Sequence, residues 1–350
     1  MSNGSDNEQR SDHHKHGGLM KRLFLVLNQW RPFPLYELLA YIPMFAGVPM
    51  FAYGIQPYNT TILKIILLTV ATMYSGFFAA LIWNDITDAD IDAIVHPSRP
   101  IPNGRITPRR FFAIALVFSA FTFLFAVLVS PWCLILVGAS ALFVTFHDKY
   151  LKKKITLPAY SEIFTPFQWL TVPVFGFFAL WSTSLLPPGD ITISAPALGY
   201  LSIHSSQIPT LILLVLFTYF ADDAHDLAEG IHDVEGDRRM GVRTYATSFG
   251  EKNAAVISFV MVFLSGVLGI LVYLFSLLSL IFLFPFLIVW VYTLFSFYKL
   301  IVVDPSQRGR MGKTVGRIGY NYFLLSYVFL FFDVLIQVLT YSLWGWRLPY

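Results

Sequence analysis

Eleven of the 21 acidic residues in this 350-residue chain fall in two short segments. Asp85, Asp88, Asp90 and Asp92 follow directly on the apolar run YSGFFAALIW, and Asp222, Asp223, Asp226, Glu229, Asp233, Glu235 and Asp237 crowd residues 222–237. On a helix turning about 100° per residue, Asp85, Asp88 and Asp92 lie within about 60° of one another, with Asn84 beside them. Asp226, Asp233 and Asp237 fall within about 40°, with Asp222 near the same stripe. Carboxylates stacked on one face repel unless a cation lies between them. Hard oxygen ligands without His or Cys point to Mg²⁺ or Ca²⁺, and Mg²⁺ usually takes one or two carboxylates together with phosphate oxygens and water. The pattern fits a metal-bound polyphosphate. Arg99, Lys152, Lys153 and Arg243 can neutralise the remaining charge of a diphosphate.

These residues must be positioned by membrane helices. The chain is 56% hydrophobic and only 13% charged, where a soluble domain carries roughly 25% charged residues. Apolar runs bounded by charges predict nine spans, near 33–53, 61–84, 111–130, 132–147, 159–182, 207–221, 253–274, 276–299 and 319–343. Pro158, Pro166, Pro173 and Pro285 are compatible with such spans, since neighbouring helices satisfy the freed backbone groups. Of the 24 basic residues, all but Lys64 and Arg347 fall in the N-terminal segment or in the even-to-odd connections. The positive-inside rule therefore places those connections, and both acidic clusters, on the cytosolic side. The opposite face carries one long, nearly uncharged connection at about 183–206.

The fold class expected is all-α, a polytopic membrane protein with a polar, disordered cytosolic tail over 1–32 and a single transmembrane catalytic domain over 33–350. The tail lacks the apolar core of a cleavable signal peptide, and its His13, His14 and His16 read as a solvated tract. A single cysteine, Cys133, excludes an intrachain disulfide and a cysteine-built metal site. No glycine-rich phosphate loop or nucleophile elbow is present. The small net charge of +3 gives no sign of a nucleic-acid partner.

NDITDADID, carrying Asn84, Asp85, Asp88 and Asp92, is followed by RPIPNG (Arg99 to Gly104). Together they resemble the first motif of the UbiA superfamily of intramembrane prenyltransferases. DLAEGIHDVEGDRRMGVRT, with Asp226, Asp233, Asp237, Gly241 and Thr244, resembles the second. YLKKK, with Tyr150 and Lys153, is similar to the segment that contacts diphosphate. The resemblance implies a UbiA-like bundle in which Asn84, Asp85, Asp88, Asp92, Asp226, Asp233 and Asp237 hold Mg²⁺. It further implies that Asn84, Arg99, Tyr150, Lys153 and Arg243 bind the diphosphate of a prenyl donor such as farnesyl or geranylgeranyl diphosphate. The second motif departs from pattern, because Gly230 stands where many aromatic prenyltransferases of the family carry Tyr.

Two fates of the prenyl cation stay open. A small aromatic or enolic acceptor captures it, in a prenyltransferase of isoprenoid or meroterpenoid biosynthesis. Alternatively the cation closes on its own double bonds and loses a proton, in a terpene cyclase. A transporter is a third reading, resting on Glu37 and Asp333 inside predicted spans. It is weakened because the acids gather at one interface and not at the midplane. Asp90, Asp223 and Glu235 read as solvated loop charges, His225 and His232 as polar interfacial residues, and Glu162 as a salt-bridge partner or an acceptor-binding base. The Ser-rich tail and interrupted loop hint at the endoplasmic reticulum.

Overall fold

In the computed structural model, which describes residues 34–95, 97–151 and 154–344, nine segments among those residues are helical, long and apolar enough to cross a membrane. The expected tail, Lys152 and Lys153 lie outside the described residues. The helices that carry them are α1 (Leu35–Tyr53), α2 (Thr60–Thr87), α4 (Pro108–Val129), α5 (Pro131–Phe146), α7 (Phe167–Trp181), α8 (Ile208–Met240), α10 (Glu251–Leu274), α11 (Leu280–Val302) and α12 (Pro305–Trp344). Short helices α3 (Ala89–Val95), α6 (Tyr160–Phe164) and α9 (Tyr245–Phe249) lie among them, and a π-helical turn, His147–Leu151, ends α5. Each span packs on the next and α12 closes on α1, so the helices form a ring. Outward apolar side chains such as Leu142, Ile288 and Phe284, 74%, 70% and 61% exposed, are suited to lipid.

Side chains mark several starts. Asn59 accepts from Thr61 N–H and Ile62 N–H, and Ser130 from Cys133 N–H, satisfying orphan donors of the first turns. Asp333 on α12 does so at long range, accepting from Ser279 N–H at 2.8 Å and Phe282 N–H at 2.9 Å at the head of α11. Pro173 and Pro285 sit inside helices, whereas Pro158 occupies a turn and Pro166 caps α7, dividing the fifth span into α6 and α7. The connection at 183–206 is not all loop: β1 (Ile191–Ala195) pairs antiparallel with β2 (Gly199–Ile203).

Two helices outrun their predicted spans. α8 continues through the whole second acidic segment to Met240, ending where Gly241 adopts φ 71°. α12 begins at Pro305, so Arg308, Arg310, Lys313 and Arg317 are helical. Hydropathy reports where a helix leaves an apolar medium, not where its hydrogen-bond ladder stops. Behind the second cluster α12 approaches α8 closely, because Gly312 and Gly316 carry no side chains. A Cβ there would stand 2.5 Å from Ala228 O and 2.3 Å from Glu229 Cγ.

Candidate active site

The first acidic cluster straddles a joint. α2 ends at Thr87, Asp88 takes φ −98° and ψ 9°, and α3 restarts at Ala89. The helical hydrogen-bond pattern nevertheless runs on, since Asp88 N–H donates to Asn84 O at 2.9 Å and Asp92 N–H to Asp88 O at 2.8 Å. Asp85, Asp88 and Asp92 are therefore on one face, and all three are buried. Asn84 is half-buried beside them, and Asp90 is exposed as expected.

Arg99, expected to serve the diphosphate, also contacts the acids of this cluster. Its Nη1 donates to both oxygens of Asp92 at 2.7 Å and lies 3.8 Å from Asp85. The turn after α3 brings the guanidinium back onto the face that carries the acids. Burial still outweighs Arg99 and holds the Asp92 carboxyl above its ordinary range.

The second cluster lies on unbroken α8. Asp222 is buried, and its Oδ1 stands 3.0 Å from His225 Nε2, while His225 Nδ1 lies 3.3 Å from Asp226 Oδ1. One donor atom from each of Asp222, His225 and Asp226 lies within 4.8 Å of the others. Asp233 and Asp237 follow, half-buried, on the next turns, and His232 and Glu235 are exposed. Asp223 overturns its reading as a solvated loop charge. It is 0% exposed, and neither carboxylate oxygen has a hydrogen-bond partner among the described residues. α8 is still helical and enclosed by neighbours at that point, so no loop exists to solvate it.

α3 packs on α8, which turns the two clusters toward each other. On the rim, the π turn carrying Tyr150 touches α2, and the Tyr150 ring, 42% exposed, lies 5.5 Å from Lys149 Nζ. Arg243 is exposed, and its carbonyl accepts from Ser161 Oγ at 2.9 Å. Glu162, beside that bond, is buried and accepts from Tyr245 N–H, so it is neither solvated nor part of a salt bridge among the described residues.

The ring interior above the clusters is aromatic. Tyr41, Phe77 and Trp169 have centroids 4.6 to 6.0 Å apart, and Trp169 meets Phe323 at 5.5 Å. Phe77 precedes Asp85 by eight residues, about 12 Å along α2. Tyr320 joins the two layers, its ring 4.9 Å from that of His225 and its hydroxyl bonded to that of Tyr41.

These residues fit a hard divalent cation. Oxygen donors dominate both clusters, and Asp223 together with Oδ2 of Asp222 is buried without a donor, a costly arrangement unless a cation is bound. The acids behind the transport reading are structural: Glu37 pairs with Arg317 of α12, and Asp333 caps α11. The sequence places Asp222 near the acidic stripe and offers Glu162 as an acceptor-binding base, but Asp223 reads there as a solvated charge and His225 as an interfacial residue. The helical spacing of Asp223 from Asp226, and of His225 from Asp222, is the available signal.

Residues 40–326 match the family described as the UbiA prenyltransferase family. The digeranylgeranylglyceryl phosphate synthase of Pyrococcus horikoshii is 28% identical over 212 residues, covering 61% of this chain and 65% of that protein. The chain thus spans slightly less than two thirds of that relative's length. A UbiA homolog from Aeropyrum pernix superposes with TM-score 0.60 at 18% identity, over 83% of this chain and 98% of that one. A UbiA homolog from Archaeoglobus fulgidus, solved with DMAPP and Mg²⁺, gives TM-score 0.52 at 14% identity, over 85% and 98%. At these identities the structural likeness establishes the fold.

Proposed function

Since the chain belongs to the UbiA prenyltransferase family, we propose that it ionises a prenyl diphosphate inside the membrane with Mg²⁺ and transfers the prenyl group to an acceptor. The observation that carries this reading is that two carboxylate clusters, buried on α2–α3 and partly buried on α8, lie on elements packed together beneath an aromatic layer closed in by the helix ring. Asn84, Asp85, Asp88 and Asp92 hold the cation on one side, and Asp226, Asp233 and Asp237 on the other. Bound Mg²⁺ supplies positive charge that stabilises the departing diphosphate. Arg99 orients Asp92 through both its oxygens. Asn84, Arg99, Tyr150, Lys153 and Arg243 bind the diphosphate.

Tyr41, Phe77, Trp169 and Phe323 exclude water and face the allylic cation, each ring contributing about 0.5–2 kcal/mol. The rim opens to the cytosol by the distribution of Lys and Arg, in the endoplasmic reticulum membrane. The donor is farnesyl or geranylgeranyl diphosphate, and the acceptor is a small aromatic or enolic molecule or, as the name of the Pyrococcus horikoshii relative suggests, a glyceryl phosphate.

A second reading, cyclisation without an acceptor, is favoured by the density of aromatic faces around Tyr41. Membranes containing the protein, incubated with Mg²⁺ and either diphosphate and no acceptor, separate the two. Donor consumed only when an acceptor is supplied supports transfer, and a Mg²⁺-dependent cyclic hydrocarbon supports cyclisation. Donor left intact with the whole acceptor panel present would remove both.

A further inference from the structure

α8 presents Asp223, Asp226, Gly230, Asp233 and Asp237 at steps of three and four residues, which is one face of a helix with glycine at its middle. The space above that glycine is taken by a residue from elsewhere. A Cβ built on Gly230 would stand 2.3 Å from Glu162 Oε1. Glu162 belongs to α6, which is tied to the segment after α8. Ala159 N–H donates to Ser248 Oγ at 2.9 Å, Ser161 Oγ donates to Arg243 O, and Glu162 Oε2 accepts from Tyr245 N–H. One oxygen of Glu162 is thereby anchored, and the other is turned onto the acidic face of α8.

The charges of Asp226 and Asp237 act on Glu162, and those of Glu162, Asp226 and Asp222 on Asp223. Asp223 is fully buried with both oxygens unpartnered among the described residues. A carboxylate buried without a donor, as Asp223 is among the described residues, is unfavourable by several kcal/mol, and a hard divalent cation held with neighbouring carboxylates relieves it through oxygen coordination.

We infer that Glu162 is a cation-holding residue of the α8 cluster, supplying from α6 the carboxylate for which Gly230 leaves room, with Asp223 and Asp226 as its partners on a hard divalent ion. This deepens the proposed function and rests on its reading of α8 as a cation-binding element.

Mn²⁺ binding to the full-length protein in nanodiscs, without prenyl diphosphate, tests it through loss of the free-ion electron paramagnetic resonance signal. Glu162→Gln keeps an oxygen for Tyr245 N–H and removes the charge. Its Mn²⁺ affinity is expected to fall at least about tenfold, while its melting temperature without cation holds or rises as the acids repel less. Gly230→Ala is the second variant, because its methyl displaces Glu162 Oε1 while alanine suits a helix better than glycine. It too is expected to weaken Mn²⁺ binding. A folded Glu162→Gln or Gly230→Ala protein that binds Mn²⁺ like the unaltered one overturns the inference, as does failure of the unaltered protein to bind Mn²⁺. The proposed activity fails separately: Glu162-dependent Mn²⁺ binding in a protein that consumes no prenyl diphosphate leaves this site standing. Prenyl diphosphate consumption with Mn²⁺ binding indifferent to Glu162 leaves the activity and removes the site.

Discussion

Around Asp92 the carboxylates are closed by a guanidinium of their own: Arg99 reaches both Asp92 oxygens at 2.7 Å. Around Asp223, His225 stands between Asp222 and Asp226, and Asp223 itself has no donor among the described residues. The difference follows from backbone shape. The first cluster lies where α2 gives way to α3 and a turn, so the chain folds back and carries Arg99 to the acids. The second lies on a continuous helix, where a residue reaches others only at spacings of three and four. There His225 is a local partner, and completion depends on distant segments or a bound ion.

The comparison breaks first at its most sensitive point. Asp88→Ala or Asp233→Ala, one in each cluster, is expected to lower diphosphate release by at least about a hundredfold while membrane insertion is retained. Full release in either variant would remove that cluster from the chemistry. Arg99→Gln comes next. It exposes the repulsion that Arg99 offsets between Asp85 and Asp92, so stability without cation is expected to fall by about 1–3 kcal/mol. Added Mg²⁺ should recover more of it than in the unaltered protein, and melting curves with and without Mg²⁺ check this.

Smaller effects sharpen the contrast between the clusters and the solitary acids. Asp333→Asn weakens the cap on α11, at about 1–2 kcal/mol of stability, and should leave Mn²⁺ affinity unchanged; a changed affinity would revive an ion-conducting role for that residue. Asp90→Ala and Glu235→Ala remove exposed carboxylates and should alter stability by less than about 0.5 kcal/mol, with diphosphate release undiminished.

Much of this molecule was legible before its structure. The nine spans lie where apolar runs end at charges, because transfer into lipid depends on composition summed along about 20 residues. The acids of each motif share a face because helical periodicity is local arithmetic. What misled was the assumption that a helix stops where hydropathy stops. α8 carries Asp222 to Asp237 as one rod, which buries Asp223 although it belongs to an acidic segment. The charge of Arg99 is visible in the sequence, whereas its contact with Asp92 is not.

The sequence by itself determined a membrane bundle, the helix ends at which its acids gather, and the register that stacks them, since each follows from residues close together in the chain. Only the tertiary structure decided that Arg99 clamps Asp92, that α12 can approach α8 at Gly312 and Gly316, and that Glu162 sits over Gly230. Those contacts join segments whose separation in sequence carries no periodic signal. Their energies come from packing and charge at distances that exist only once the ring has closed.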